Sequence, residues 1–379
     1  VDAASPLRVL HIIPALQQGG AERLLAELVT RAGEGLTHSV LTLTGDRPFF
    51  DLGETPVTSL GLRRGQVSPA ALRRAAATLR AARPEVVHAW LYHGNLLASL
   101  LPRGGAPLLW SIHNTSLPPG GARPMTRAVN RICALLSHRS PWRIVYCAEA
   151  ARRLHEQAFG YDRKRGVVVE NGVDFRAFAF DPARRAALRA AWGLGPEALA
   201  IGCVGRFDPQ KDHATVIAAF ARLEEPRARL VLAGQGCDAA NPVLAALLRR
   251  AGAEGRALRL GAVAEMPGLL SALDLLVIGS AFGEAMPMVG LEAVAAELPV
   301  VATTVGAVAR LVPDPAHLAP PRDPAALAAA MAAALRRAGP RPGPATAALR
   351  ERLRPAHDIA ATVAAYHALY RAAAARGRG

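Results

Sequence analysis

Two carboxylates, Glu284 and Glu292, stand eight positions apart in Phe282-Gly283-Glu284-Ala285-Met286-Pro287-Met288-Val289-Gly290-Leu291-Glu292-Ala293. A carboxylate accepts hydrogen bonds from sugar hydroxyls. Pro287, with its preset φ and no N–H, suits the first turn of a helix running from Met288 to Leu298. That places Glu292 about two turns in and Glu284 in the loop ahead. A ligand resting on residues 286–289 would meet a carboxylate at each end, while its anionic part faced the helix amides and the positive end of the dipole. A nucleotide-sugar has that make-up, with hydroxyls for the carboxylates and a diphosphate for the amides.

A second group lies upstream. Gly205-Arg206-Phe207-Asp208-Pro209-Gln210-Lys211-Asp212-His213 follows an expected strand, at the carboxyl edge where open α/β sheets bind ligands. Arg206 offers a planar fork and Lys211 a point charge, so the pair can hold a diphosphate from both sides. The ordinary alternative is a surface ion pair of Lys211 with Asp208 or Asp212. Against it, Lys211 is one of only two lysines, with Lys164, in a chain that otherwise uses arginine.

Strands and helices alternate around these residues. Apolar runs at 7–13, 39–43, 86–90, 108–112, 143–147 and 166–169 read as buried parallel strands, with helical spacing over 21–29, 69–82 and 95–101. The pattern restarts with strands at 198–205, 229–233, 258–260, 275–278 and 299–302 and a helix at 213–223. Two doubly wound α/β domains in series follow, with boundaries at 1–177 and 178–355. A proline-rich connector over 340–355 then leads to a helix carrying Tyr366 and Tyr370, in a third segment, 356–379.

Composition narrows the class. The 379 residues carry a net charge of +15 and a pI near 11.0, which would ordinarily suggest nucleic acid. The arginine and alanine bias weakens that inference, and no aromatic residues interleave the arginine clusters. No nucleic-acid partner is expected. Arg123, Arg127, Arg131, Arg139 and Arg143 fall at near-helical spacing beside Met125, Val129, Ile132, Leu135 and Leu136. Such a basic amphipathic stretch suits an anionic membrane surface, or equally a solvated helix face. Cys133, Cys147, Cys203 and Cys237 show no metal or disulfide spacing, which points to a reducing, cytoplasmic setting. No apolar run is long enough to span a bilayer, and Val1-Asp2-Ala3-Ala4-Ser5 lacks the parts of a secretion signal, so a soluble protein is expected.

The arginine/lysine loop and the spaced glutamates together resemble the retaining glycosyltransferases of family 4, the glycosyl transferases group 1, over nearly the whole chain. The resemblance implies the GT-B fold: two facing Rossmann-like doubly wound domains, with a C-terminal helix returning to the N-terminal domain. It makes the first domain the acceptor domain and the second the nucleotide-sugar donor domain. Arg206 and Lys211 become the diphosphate clamp, Glu292 the ribose ligand, and Glu284 the group beside the donor sugar. Gly19 and Gly20 match a loop that approaches the donor phosphate and the acceptor, although a tight strand-to-helix turn also explains them. His113 resembles an active-site histidine near the transferred sugar, where an isolated histidine is more often a hydrogen-bonded structural residue; His88 and His93 are weaker candidates. Gly234, Gly236 and residues 260–267, Val263 among them, fall where relatives shape the base and ribose pocket. Asn171-Gly172-Val173-Asp174 resembles the end of the first domain, and Asp274 reads as structural.

The implied reaction moves a sugar with retention, from a UDP-sugar in preference to a GDP-sugar, to a glycan or polyprenyl-linked acceptor in cell-surface glycan synthesis. No metal or other cofactor is called for. The setting is the cytoplasm or the inner face of the plasma membrane. The same fold would also serve a sugar-nucleotide epimerase, and the charge alone a basic nucleic-acid-binding protein. The chain departs from the family pattern at Ala285 for glycine, Gly279 for proline, Ala307 for glycine and Arg310 for glutamate, the last two being expected downstream of the donor site.

Overall fold

Short apolar runs alternating with helices build two parallel sheets in the computed structural model, which describes residues 5–33, 35–45, 47–63, 66, 68–113, 124–336 and 341–377. Residues 1–4, Asn114, Thr115, Arg123 and Pro340 of the sequence reading lie outside the described residues.

The first sheet contains β1 (Leu7–Ile13), β2 (Leu36–Thr42), β3 (Val57–Ser59), β4 (Val86–Trp90), β5 (Leu108–Ile112), β6 (Arg143–Tyr146) and β7 (Gly166–Val168), in the order β3-β2-β1-β4-β5-β6-β7. The second contains β8 (Leu199–Val204), β9 (Ala228–Ala233), β10 (Ala257–Gly261), β11 (Leu275–Ile278), β12 (Val300–Thr303) and β13 (Leu318–Ala319), in the order β10-β9-β8-β11-β12-β13. Every pairing is parallel. In both sheets the order reverses beside the first strand, between β1 and β4 and between β8 and β11. A reversal of this kind opens a crevice at the carboxyl ends of the two strands.

Side-chain alternation shows that the second sheet is covered on both faces. Val231, Ala233, Leu276, Ile278, Val300 and Ala302 enter one core with helices Met266–Ala272 and Met288–Ala295. Leu230, Leu232, Leu275, Val277 and Val301 enter the other with helices His213–Ala221 and Pro324–Arg336. Successive residues of a strand point to opposite faces, so near-continuous apolar strands are what such a layer needs.

The chain divides into residues 1–171 with 360–379, and 172–359. Residues 172–177, read from sequence as the end of the first domain, belong with the second. Phe175 and Phe178 are buried in its core, and Val173 exchanges hydrogen bonds with His357 and Ile359. The connector expected over 340–355 is a helix from Pro344 to His357. Pro344 takes the first helical turn, where its missing N–H costs nothing, and Leu349 and Leu353 face the core.

From Ala360 onward the last helix, Ile359–Gly377, belongs to the first unit. Its buried residues Val363, Tyr366, Tyr370, Ala373 and Ala374 recur every three or four positions. Tyr370 Oη bonds His88 Nδ1 at 2.8 Å, His88 Nε2 meets Ser111 Oγ at 2.7 Å, and Tyr366 Oη lies 3.4 Å from the same serine. Beside them Trp90 Nε1 donates to His11 Nδ1 at 3.1 Å, which leaves His11 Nε2–H to donate to His38 Nδ1 at 2.8 Å. Burial holds His11 and His88 well below the usual histidine range, and His38 falls to about 4. Among the described residues, no helix is long and apolar enough to cross a membrane.

Candidate active site

The loops after β8 and β11 flank the reversal of the second sheet, and the cationic and acidic residues sit on them. Gly205 N–H extends the β8 ladder to Ala233 O at 2.8 Å, Phe207 N–H reaches Gln235 O at 2.8 Å, and Ala281 N–H reaches Gln210 O at 2.8 Å. Backbone bonds thus tie the 205–212 loop to the glycine turn at 234–236 and to the 279–287 loop. Gly234, at φ +138°, is required here, because a Cβ would run into the Gly205 carbonyl. Gly279, where proline is common in relatives, lies against Val216, whose methyl occupies the space of a side chain.

Lys211 lays its methylenes over Gly205 and pairs with Glu284, Nζ to Oε1 at 2.5 Å. The partners Asp208 and Asp212, weighed from sequence, are engaged elsewhere. Asp208 Oδ1 accepts from Gln210 N–H at 2.9 Å; Asp212 caps helix His213–Ala221, accepting from Thr215 N–H at 3.2 Å and Thr215 Oγ1 at 2.7 Å. Arg206 is exposed on the same loop, with no hydrogen bond or ion pair among the described residues. Glu284 is buried, and its Oε1 also accepts from Ser280 Oγ at 2.7 Å. Ser280 is itself held, its carbonyl accepting from Thr303 Oγ1 at 2.6 Å. Sequence reading missed Ser280; its place four residues before Glu284, in a loop after a buried strand, was the available signal.

Pro287 caps helix Met288–Ala295 in an extended conformation instead of occupying its first turn, and Glu292 is the fifth residue, little more than one turn in. Glu292 is buried, as are Met286 and Pro287, while Met288 and Val289 are partly open. Pro287 O accepts from Gly290 and Leu291 N–H, so the amides of Met288 and Val289 precede the intrahelical ladder. Ala307, expected with Arg310 downstream of the site, instead touches its loop together with Gly306. Gly306 packs its Cα on the Glu284 carbonyl, at φ +65°, and Ala307 N–H donates to Ala285 O at 3.0 Å. A backbone donor makes the alanine at 307 harmless to this bond.

Of the outlying candidates, Gly234 supports the loop, Gly236 packs beside Phe207, and Val263 packs on the core edge. His213 is buried against Cys237, 3.4 Å away, and burial followed by the charge of Lys211 lowers it to about 4. Asp274 is structural: it pairs with Arg185 at 2.6 Å and Arg189 at 3.0 Å and accepts from Ala200 N–H.

His113, Gly19 and Gly20 belong to the other unit, at carboxyl ends of its strands. His113 directly follows β5 and stacks on Trp90, centroids 5.6 Å apart. Among the described residues neither of its buried ring nitrogens has a hydrogen-bond partner, and burial lowers it to about 4. His88 by contrast is committed to Tyr370 and Ser111. Gly19 precedes helix Gly20–Thr30, its Cα covered by the Glu22 carboxylate. Of the basic stretch, Arg127 and Arg131 share helix Pro124–Ser137, which ends before Arg139. Arg143 leaves that face altogether: it opens β6, stacks on Trp142 and donates to Lys164 O.

Residues 18–176 match the profile described as Glycosyltransferase Family 4, and residues 198–337 the profile described as Glycosyl transferases group 1. The chain is 28% identical over 316 residues to the putative glycosyltransferase EpsF of Bacillus subtilis (strain 168), covering 78% of this chain and 79% of that one. It is 33% identical over 246 residues to the D-inositol 3-phosphate glycosyltransferase of Kineococcus radiotolerans, covering 60% of this chain but only 55% of the relative. In fold it is similar to Anabaena Alr3699/HepE, solved in complex with UDP and glucose, with a TM-score of 0.80 at 20% identity over 97% of this chain and 100% of that one. Two parallel sheets, two matched profiles and named relatives agree: the chain is a glycosyltransferase of the GT-B fold and belongs to glycosyltransferase family 4, the glycosyl transferases group 1.

Proposed function

We propose that the chain moves a sugar from a UDP-sugar to a lipid-linked or polysaccharide acceptor, with retention at the anomeric carbon. The observation that carries this reading is the Lys211–Glu284 pair at the reversal of the second sheet, with Arg206 unengaged on the same loop. A diphosphate between Arg206, Lys211 and the amides of Met288 and Val289 would have its charge met without a metal. Glu284, beside the lysine, then faces the sugar hydroxyls, and Glu292 the ribose. The UDP complex of the Anabaena structure supports uridine as the base.

In the reaction, the bond from the anomeric carbon to the β-phosphate oxygen breaks as the acceptor hydroxyl bonds to the same face of that carbon. The hydroxyl proton passes to the departing phosphate oxygen and UDP leaves. Cations around the diphosphate lower the cost of its developing charge, and Glu284 orients the sugar. His113, on the first unit, is neutral, and among the described residues its ring nitrogens have no hydrogen-bond partner, which leaves it able to bond a ligand of that unit. The acceptor is assigned to the cytoplasmic membrane face.

Thermal shift and turnover against a panel of nucleotide-sugars test this reading. One donor should raise the melting temperature of the wild type and barely move Lys211→Ala. Glu292→Ala should weaken UDP binding about tenfold, and Glu284→Ala should chiefly lower turnover. Equal shifts in wild type and Lys211→Ala, or unchanged kinetics in both glutamate variants, would overturn the assignment.

A further inference from the structure

Helix Pro124–Ser137 buries Val129, Asn130, Cys133, Ala134 and Ser137. Its opposite face is not polar. Leu135 is 77% exposed, Met125 58% and Ile132 44%, and Leu100, at the end of the packed neighbouring helix Leu91–Leu100, is 61% exposed. Four of the seven large apolar side chains exposed among the described residues therefore gather on two adjoining helices of one unit. On a surface helix the outward positions ordinarily carry charge, and contiguous exposed apolar residues mark a contact surface.

Charge decides which contact. From Val86 to Ala148 the chain holds no aspartate or glutamate and six arginines, Arg103, Arg123, Arg127, Arg131, Arg139 and Arg143. Helical spacing sets Arg127 and Arg131 along one flank of the Ala128–Ile132–Leu135 face, and Arg139 is exposed just past the helix end. An apolar stripe flanked by arginines, on a segment that itself carries no carboxylate, is complementary to an anionic bilayer: side chains enter the acyl boundary while guanidinium groups meet headgroup phosphates. A protein partner of mixed charge would leave the one-signed flank unmatched.

We infer that helix Pro124–Ser137, with Leu100, docks this chain on an anionic phospholipid surface, lying in the interface plane. The helix spans about 20 Å at 1.5 Å per residue, so Met125 and Leu135 can enter together only if its axis runs parallel to the membrane. This deepens the proposal of a membrane-borne acceptor and rests on it for its purpose, yet lipid binding is read independently of sugar transfer.

The experiment is flotation of the full chain with vesicles of phosphatidylcholine alone and of phosphatidylcholine mixed with phosphatidylglycerol. Wild type should float only with the mixed vesicles, less so as salt rises. The double variant Ile132→Ser, Leu135→Ser, changing exposed positions only, should lose binding about tenfold or more while its nucleotide-sugar thermal shift stays at the wild-type value. Arg131→Glu with Arg139→Glu should weaken binding comparably. Equal flotation of wild type and the serine variant overturns the inference, as does wild type that ignores mixed vesicles. So does a wild-type dimer that the serine variant converts to monomer without any lipid effect, which would give the face to a second copy of the chain.

Discussion

Lys211 Nζ stands 2.5 Å from Glu284 Oε1, the same oxygen that accepts from Ser280 Oγ at 2.7 Å. Two donors on one oxygen fix the rotation of a buried carboxylate, and Thr303 fixes the serine backbone in turn. If that rotation orients the sugar, Ser280→Ala should lower kcat about tenfold and change donor affinity much less. Thr303→Val should act in the same direction, more weakly. Steady-state kinetics with varied donor separate the two parameters, and a pure affinity defect would argue against this role.

Because lysine and glutamate neutralise each other before donor arrives, their variants should not be additive. A double-mutant cycle on Lys211→Ala and Glu284→Ala, read by donor affinity and melting temperature, should give a coupling of about 1–3 kcal/mol. Additive effects would show that the pair contributes nothing jointly.

Tyr370→Phe removes the hydroxyl facing His88 Nδ1 at a fully buried site. The orphaned nitrogen should cost about 1–3 kcal/mol of stability, seen as a lower unfolding midpoint. Tyr366→Phe, whose hydroxyl sits at the longer 3.4 Å from Ser111, should cost less. Equal losses would mean that aromatic packing alone docks the last helix.

Burial lowers His38, His113, His155 and His213 to about 4 from the ordinary 6.5. Between those values the unfolded chain binds more protons than the folded one, so stability is flat above about 6.5 and falls as pH drops toward 4. At about pH 5 each such histidine takes away roughly 2 kcal/mol. His11 and His88 add to the fall in the same direction. Denaturant midpoints measured from neutral to acid pH should decline steeply below about 6.5, and a level profile would contradict the buried neutral network.

Most strands were legible because buried parallel strands are short apolar runs, and β1, β4, β5 and β11 start and stop where the sequence places them. Helices were harder. Pro182–Ala191, Pro242–Arg250 and Pro344–His357 each open on proline, which reads as a break until the preceding Asp181, Asn241 or Gly343 is recognised as a cap. The site was half legible. Residue types gave the cations and glutamates, but Lys211 and Glu284 lie 73 positions apart, and only the reversal beside β8 joins their loops. Ser280 and the Gly306 contact were hidden for the same reason: they act through tertiary neighbours, which local spacing does not encode.

The two places where the chain passes between its units are hydrogen-bonded neighbours, Val173 receiving Ile359 N–H on its carbonyl while its own N–H reaches His357 O. Residues 172–359 are therefore a continuous cassette with stapled ends. Two exchanges, one at each of these neighbouring junctions, would swap the whole second unit between relatives without cutting a strand of either sheet.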